Sequence, residues 1–284
     1  MDELEKGIIP FVVGGLGNQM FIISAGYIAH KFSKCPLYLL QPIKKENKHN
    51  IKYRNYNNSI FKYFGTHLPF TSAATHFIQS LGYTEYVQHY ESKINNIPYD
   101  QHDQRWRAED IQPGTILHSS YFQFYPAIKP FQNELRDLYI RGLEEFSEKL
   151  KDYSQYSFLH IRRGDFLLEA HIPILSIEYY KNAVSILQGK GVHKYIIISN
   201  DIPWVKEQEY FKDPIFEVFD SDDELETMAL MSKCTAGAIC ANSTFSWWGA
   251  FLGAYGFNKP VIITKEWVHG RDLVDLFPEE WIRI

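Results

Sequence analysis

From Tyr156 onward the chain repeats one pattern, a short β-branched or apolar run followed by a longer amphipathic one. Short apolar runs set that far apart cannot turn back on each other as hairpins. Each strand must be returned by a helix to lie parallel to the last, which gives βαβ units and a parallel sheet covered by helices. The pattern predicts strands at 157–161, 195–199, 216–219, 236–241 and 260–264, with helices at 176–188, 203–210, 223–233 and 244–255. Helix-start signals agree: Ser176 precedes Glu178 and Tyr179, and Asp222 to Glu224 place carboxylates where a helix dipole favours them. The C-terminal half is therefore expected to be a doubly wound parallel sheet.

The first half is less regular. A strand at 8–13 runs through glycines into a helix at 18–32, with Phe21, Ala25, Ile28 and Phe32 on one face. Residues 44–106 mix aromatic and polar side chains without a period, so long functional loops are expected there. A helical stretch at 131–150 precedes the expected boundary, giving halves at 1–152 and 153–284. For the short tail, a final helix packing back on the N-terminal half is the expectation. At 284 residues and 45% hydrophobic, the chain has enough apolar material for two such cores.

A net charge of -5 gives no global attraction to nucleic acid or anionic lipid. The one basic cluster, Lys44, Lys45, Lys48, Lys52 and Arg54, reads as a solvated loop rather than a membrane-surface or substrate-contacting one. Cys35, Cys234 and Cys240 are odd in number and lack CxxC spacing, against both a disulfide framework and a zinc site. No segment approaches the ~20 apolar residues of a membrane span. The expectation is a cytoplasmic protein, at most peripheral on the inner face of a membrane.

In open α/β sheets ligands bind outside the carboxyl ends of the strands, and three loops leaving strands stand out. Gly14-Gly15-Leu16-Gly17-Asn18-Gln19-Met20 lets backbone approach a ligand and offers helix-start amides to an anion; the plain alternative is a tight turn with Asn18 capping a helix. His160-Ile161-Arg162-Arg163-Gly164-Asp165 sets two arginines at a strand end, suited to forked binding of phosphate; the plain alternative is an ion pair of Arg163 with Asp165. Strand alternation puts Arg162 on the same face as His160, so Arg162 is the arginine expected to reach the ligand. Asn242-Ser243-Thr244-Phe245-Ser246-Trp247-Trp248-Gly249 offers hydroxyls and first-turn amides, with Phe245, Trp248 and Leu252 expected behind them; the plain alternative is a capped core helix.

Together these loops resemble the α-1,2-fucosyltransferase family, glycosyltransferase family 11. Its GxLGNQM is matched by residues 14–20, its HxRRxDY by 160–166, its SDD-like segment by Ser199-Asn200-Asp201 and its NSTFSWW by 242–248, in the family's order. Phe166 stands for the usual tyrosine, Asn200 for the first Asp of the SDD-like segment, and Phe21-Ile22-Ile23-Ser24 for an FQYA-like continuation.

The resemblance implies a metal-independent, inverting enzyme of the GT-B type, with two Rossmann-like halves facing a cleft and GDP-fucose held mainly by the C-terminal half. It implies transfer of L-fucose to the 2-hydroxyl of a galactose in a glycan, with a lipid-linked polysaccharide intermediate among the candidate acceptors. Arg162 would neutralise the departing β-phosphate, with His160 and Asp165 orienting its loop. Ser243, Thr244 and Phe245 would bind the diphosphate, Asp201 would contact guanine or ribose, and Asn18 would stand near the reacting sugar. Gly15, Gly17, Arg163, Ser199, Asn242 and Ser246 complete the expected donor-binding set. No cofactor is implied. Asp165, His160 or a departing phosphate oxygen could take the acceptor proton.

Asp220-Ser221-Asp222 imitates the DxD metal motif of other glycosyltransferases, yet precedes a helical run as an acidic N-terminus should. Three rival readings stand beside the fucosyltransferase: another GDP-sugar-dependent glycosyltransferase, a nucleotide-dependent oxidoreductase using the first glycine loop, and a non-catalytic glycan-binding protein. Met20 stands where a dinucleotide fingerprint wants a third glycine or alanine, which speaks against the oxidoreductase. A lectin has no need of an arginine phosphate loop.

Overall fold

The glycine-rich segment near the N-terminus joins a strand to a helix, as its composition requires. The computed structural model describes residues 7–10, 12, 14–40, 56–68, 106–111, 115–117, 121–270 and 273–284. The basic cluster at 44–54 and most of the irregular stretch to 106 lie outside them. The chain divides into two compact units, Met1–Gly142 and Leu143–Ile284.

In the first unit β1 (Ile8–Pro10) leads into α1 (Leu16–Ser33), and β2 (Tyr38–Leu40), β3 (Thr66–Leu68) and β4 (Thr115–Leu117) follow. β1 pairs in parallel with β4, and β2 with β3. The unit closes with α2 (Tyr125–Ile128) and α3 (Gln132–Gly142). Tyr139 on α3 is fully buried, and its hydroxyl bonds Ser24 Oγ and the Met20 carbonyl of α1, both at 2.8 Å. α3 ends at Gly142, which has no room for a side chain, since a Cβ there would lie 2.5 Å from the Ile60 carbonyl oxygen. The helix expected over 131–150 is thus interrupted, and resumes as the short α4 (Glu144–Ser147) in the second unit.

The second unit alternates β5 (Ser157–Ile161), α5 (Ile177–Gln188), β6 (Tyr195–Ser199), α6 (Ile202–Glu207), β7 (Phe216–Phe219), α7 (Glu224–Lys233), β8 (Gly237–Ile239), α8 (Thr244–Leu252) and β9 (Val261–Ile263). A side chain caps the start of α5, α6, α7 and α8: Ser176, Asp201, Asp223 and Ser243 each accept a first-turn amide. The tail departs from expectation. Instead of a final helix it supplies β10 (Ile282–Arg283), which pairs in parallel with β9 at the sheet edge.

All six strands form one parallel sheet in the order β10-β9-β8-β5-β6-β7. Strand alternation divides the core into two layers. Leu159, Ile161, Ile197, Ile239 and Ile262 pack on one face with Tyr180, Val184 and Leu187 of α5. On the other face His160 meets Ser246 of α8, and α8 lies on α7 so closely that a Cβ on Gly249 would touch the Met231 sulfur at 2.4 Å. The sheet is therefore doubly wound α/β, and the strand order reverses between β5 and β8. A crevice opens at such a reversal, outside the carboxyl ends of the two strands, and it is where ligands bind in this class of sheet.

Candidate active site

The two loops with the strongest chemistry leave the two strands that flank this switch point. The arginine loop follows β5, and residues 240–243 follow β8.

His160 is the penultimate residue of β5 and is buried. Its Nδ1 bonds Ser246 Oγ, and its ring lies 5.8 Å from that of Phe245. Burial first, then the neighbouring charge of Arg162, push its pKa down to about 3, so the imidazole is neutral. This pair ties the end of β5 to the first turns of α8.

Arg162 is next on the same face. Its Nη2 donates to Asp165 Oδ2 at 2.7 Å, and its guanidinium lies 5.4 Å from the Phe166 ring. Its Nε is buried and has no hydrogen-bond partner among the described residues. A buried cationic donor left unpaired is costly, and an anionic ligand is the group that would satisfy it.

Arg163 turns the other way, as strand alternation requires. Its Nε donates to Asp201 Oδ2 at 3.1 Å and its guanidinium lies 4.4 Å over Trp204. The alternative pairing of Arg163 with Asp165 is not formed. Asp165 holds Arg162 instead, and Asp201 both pairs with Arg163 and caps α6 through Trp204 N at 3.2 Å.

Asn200 joins the two strand ends. Its Oδ1 accepts from Arg163 N at 2.9 Å and its Nδ2 donates to Asp165 Oδ1 at 3.1 Å. Ser199 Oγ accepts from Asp201 N at 2.9 Å, tightening the same turn. Neither the Asn200 bridge nor the Trp204 platform was named from sequence. Only the position of Asn200 inside the SND segment hinted at it.

Across the switch point, Ser243 caps α8 by accepting Phe245 N at 3.3 Å, leaving its own proton to donate outward. Thr244, Phe245 and Ser246 form the first turn, where amides lack intrahelical acceptors. Trp247 and Trp248 are both fully buried, while Phe245 is only partly so, turned toward His160. Trp247 Nε1 donates to the Leu276 carbonyl at 2.8 Å, anchoring α8 to the tail. Asn242 is buried; its Nδ2 donates to the carbonyls of Pro173 at 2.9 Å and Trp267 at 3.2 Å, so it clamps the loops after β5 and β9.

The remaining predicted residues, Gly15, Gly17 and Asn18, belong to the first unit. Asn18 is not the cap. α1 begins two residues earlier, at Leu16, with Gly15 at its N-cap, a residue that has no side chain to cap with. Gly14 adopts φ +81°, the left-handed region that favours glycine. Asn18 Oδ1 accepts from Gln123 Nε2 at 3.1 Å.

Compared with known proteins, residues 87–284 match the sequence model of glycosyl transferase family 11. The chain belongs to glycosyl transferase family 11. It is accordingly a glycosyltransferase, and the arginine loop, the SND turn and the 242–248 segment all fall inside the region matched to family 11. The O-antigen biosynthesis glycosyltransferase WbnK of Escherichia coli is 25% identical over 301 residues, covering 95% of this chain and 98% of that protein. An alpha-1,2-colitosyltransferase of Escherichia coli is 24% identical over 306 residues, covering 98% of each. Among solved structures, POFUT1 in complex with GDP aligns over 88% of this chain and 96% of its own, at 12% identity and a TM-score of 0.49. Fucosyltransferase NodZ from Bradyrhizobium aligns over 88% and 94%, at 11% identity and a TM-score of 0.44.

Among the described residues no three His, Cys, Asp or Glu side chains are placed to hold a metal ion. Asp220-Ser221-Asp222 runs into α7, with Ser221 Oγ donating to Glu226 at 2.6 Å and Asp223 as the cap. Among the same residues no helix is long and apolar enough to cross a membrane.

Proposed function

We propose that this family 11 enzyme transfers L-fucose from GDP-fucose, with inversion, to the 2-hydroxyl of a galactose in a glycan, without a metal ion. The observation that carries this reading is Arg162. It is held by Asp165 at the switch point, on the face shared by His160 and Ser246, with its buried Nε wanting an anion. Negative charge grows on the donor's phosphate as the sugar leaves, and a guanidinium fixed beforehand stabilises that transition state more than the ground state. Ser243 and the first turn of α8 supply further donors for the diphosphate. His160 keeps the two loops in register. Enclosed with Ser246, it is poorly placed to take the acceptor proton, and the exposed carboxylate of Asp165 is the better base.

Relatedness to an O-antigen glycosyltransferase supports a bacterial polysaccharide intermediate as the acceptor class. The colitosyltransferase relative supports a second reading, transfer of colitose. Colitose is fucose lacking the 3-hydroxyl, so the question is whether the site bonds that hydroxyl. A site that does would reject the deoxy sugar by about four orders of magnitude.

The test is to incubate the purified protein with galactose-terminated oligosaccharides and either GDP-fucose or GDP-colitose, and to determine the product linkage. An α-1,2-fucosylated galactose is the expected product. Exclusive use of colitose would establish the second reading, and turnover of neither donor would end both.

A further inference from the structure

The loop that carries Ser243 has to be aimed beyond the reach of strand pairing. The pairing of β8 ends at Ile239, opposite Leu159 of β5 and Ile262 of β9. The Cys240 amide then donates to the Ile262 carbonyl at 2.9 Å, and past it side chains direct the chain. The Cys240 carbonyl accepts from the Tyr179 hydroxyl at 2.7 Å, across 61 residues of sequence. Ala241, whose nitrogen belongs to the same peptide unit, accepts at its own carbonyl from Ser243 N at 2.8 Å, closing a tight turn centred on Asn242. Asn242 is itself clamped to the carbonyls of Pro173 and Trp267. The direction of Ser243 is thus set by the plane of the Cys240–Ala241 peptide, and Tyr179 holds that plane.

Tyr179 stands in the first turn of α5, where Ser176 Oγ accepts its amide at 3.4 Å and its ring meets that of Tyr180 edge-on at 5.1 Å. Desolvation holds its phenol well above the ordinary pKa of 10, so the hydroxyl keeps its proton and donates. α5 and α8 cover opposite faces of the sheet, and this bond links them round the carboxyl end of β8. Cys240 Sγ lies 3.6 Å from the Ser246 carbonyl, so the residue that Tyr179 anchors also touches the helix it delivers. We propose that Tyr179 is a positioning residue for the donor's diphosphate: it acts through the Cys240–Ala241 peptide, holding Ser243 and the first turn of α8 where the phosphates need them. The inference rests on the reading above, in which those groups bind the diphosphate of GDP-fucose.

The test compares two tyrosines of the same chemistry. Tyr195, at the amino end of β6 and so at the opposite end of the sheet from the site, donates its hydroxyl to the Val192 carbonyl at 2.8 Å. Tyr179→Phe and Tyr195→Phe each take one hydroxyl from a backbone carbonyl, so both should lower Tm. Only Tyr179→Phe should weaken the binding of GDP, by roughly tenfold in Kd measured by titration calorimetry, the scale of one hydrogen bond lost from a charged ligand. An unchanged Kd in Tyr179→Phe would overturn the proposal, as would an equal loss in Tyr195→Phe. A Tyr179→Phe protein that does not fold would overturn it too, because the hydroxyl would then serve the fold rather than the site. A wild type that binds no GDP ends the inference and the proposed donor together. One that binds GDP but transfers neither fucose nor colitose ends the proposed function alone, and the two tyrosine variants still decide the inference.

Discussion

His160 Nδ1 and Ser246 Oγ share a hydrogen bond in a wholly buried setting, 86 residues apart in sequence, and so join the strand that ends in the arginines to the helix that faces them. The buried ring cannot easily be charged, and this has a pH signature. Its folded pKa is about 3 against an ordinary 6.5, so below pH 6.5 the unfolded chain binds a proton that the folded chain refuses. Stability from this group is fully present above pH 6.5 and is lost as pH falls toward about 3. The slope should approach about 1.4 kcal/mol per pH unit within that window. Urea unfolding between pH 5 and 6.5, above the titration range of ordinary carboxylates, isolates the effect. His160→Asn should flatten the slope, and equal slopes in both proteins would contradict the assignment.

Arg162→Ala should abolish most transfer while leaving the fold intact. Loss of a donor aimed at developing charge costs roughly 3 kcal/mol of barrier, about a hundredfold in kcat/KM. The ion pair with Asp165 is half-exposed, so its removal should cost less than about 1 kcal/mol of stability. Arg162→Lys should recover little, because an ammonium cannot engage Asp165 and a phosphate with a planar fork. Steady-state kinetics with thermal melts check this, and wild-type turnover in Arg162→Ala would remove the core of the proposed mechanism.

The bounds of β5, β6 and β7 were legible in the sequence because each is a dense apolar run broken sharply by charged or turn residues. β8 and β9 are shorter than expected, since apolar residues continue past the point where strand pairing stops. α1 starts at Leu16 rather than Asn18 because a glycine can occupy the N-cap without a capping side chain, a choice that leaves no polar signal. β10 has two residues, too few for any period to register. Within the site, the shared face of His160 and Arg162 followed from alternation alone. The pairing of Arg163 with Asp201, the Asn200 bridge and the Gln123–Asn18 bond join residues brought together only by the sheet, and no local pattern announces them.

The acidic run 220–222 gives a chemical prediction about metal. Its hydroxyl and the neighbouring carboxylates are engaged in starting α7: Ser221 Oγ donates to Glu226, and Asp223 Oδ1 accepts from Leu225 N at 2.8 Å. A helix start of this kind already has its charge matched to the dipole and needs no cation. Under the metal-free reading proposed above, transfer should proceed at its full rate in EDTA, and Asp220→Asn with Asp222→Asn should leave it unaltered. Strict dependence on an added divalent ion, lost in those variants, would restore the DxD reading.

Gly164→Ala tests whether the Asn200 bridge sets the arginine loop. A Cβ at 164 would lie 2.4 Å from Asn200 Nδ2, closer than real contacts allow, and the amide is the part free to move. Moving it breaks the bonds to both Asp165 Oδ1 and Arg163 N, so Asp165 no longer holds Arg162 from a fixed position. The bonds lie at the surface and alanine reduces the entropy of the unfolded chain, so stability should change by less than about 1 kcal/mol. The rate should fall by roughly tenfold or more, the scale expected when a stabilising group is displaced by about an ångström. Because the methyl acts only by displacing the amide, Asn200→Ala alone should reproduce the loss, and combining the two should add nothing. A fully active Gly164→Ala, or a double variant far worse than either parent, would show that Arg162 is held by something other than this bridge.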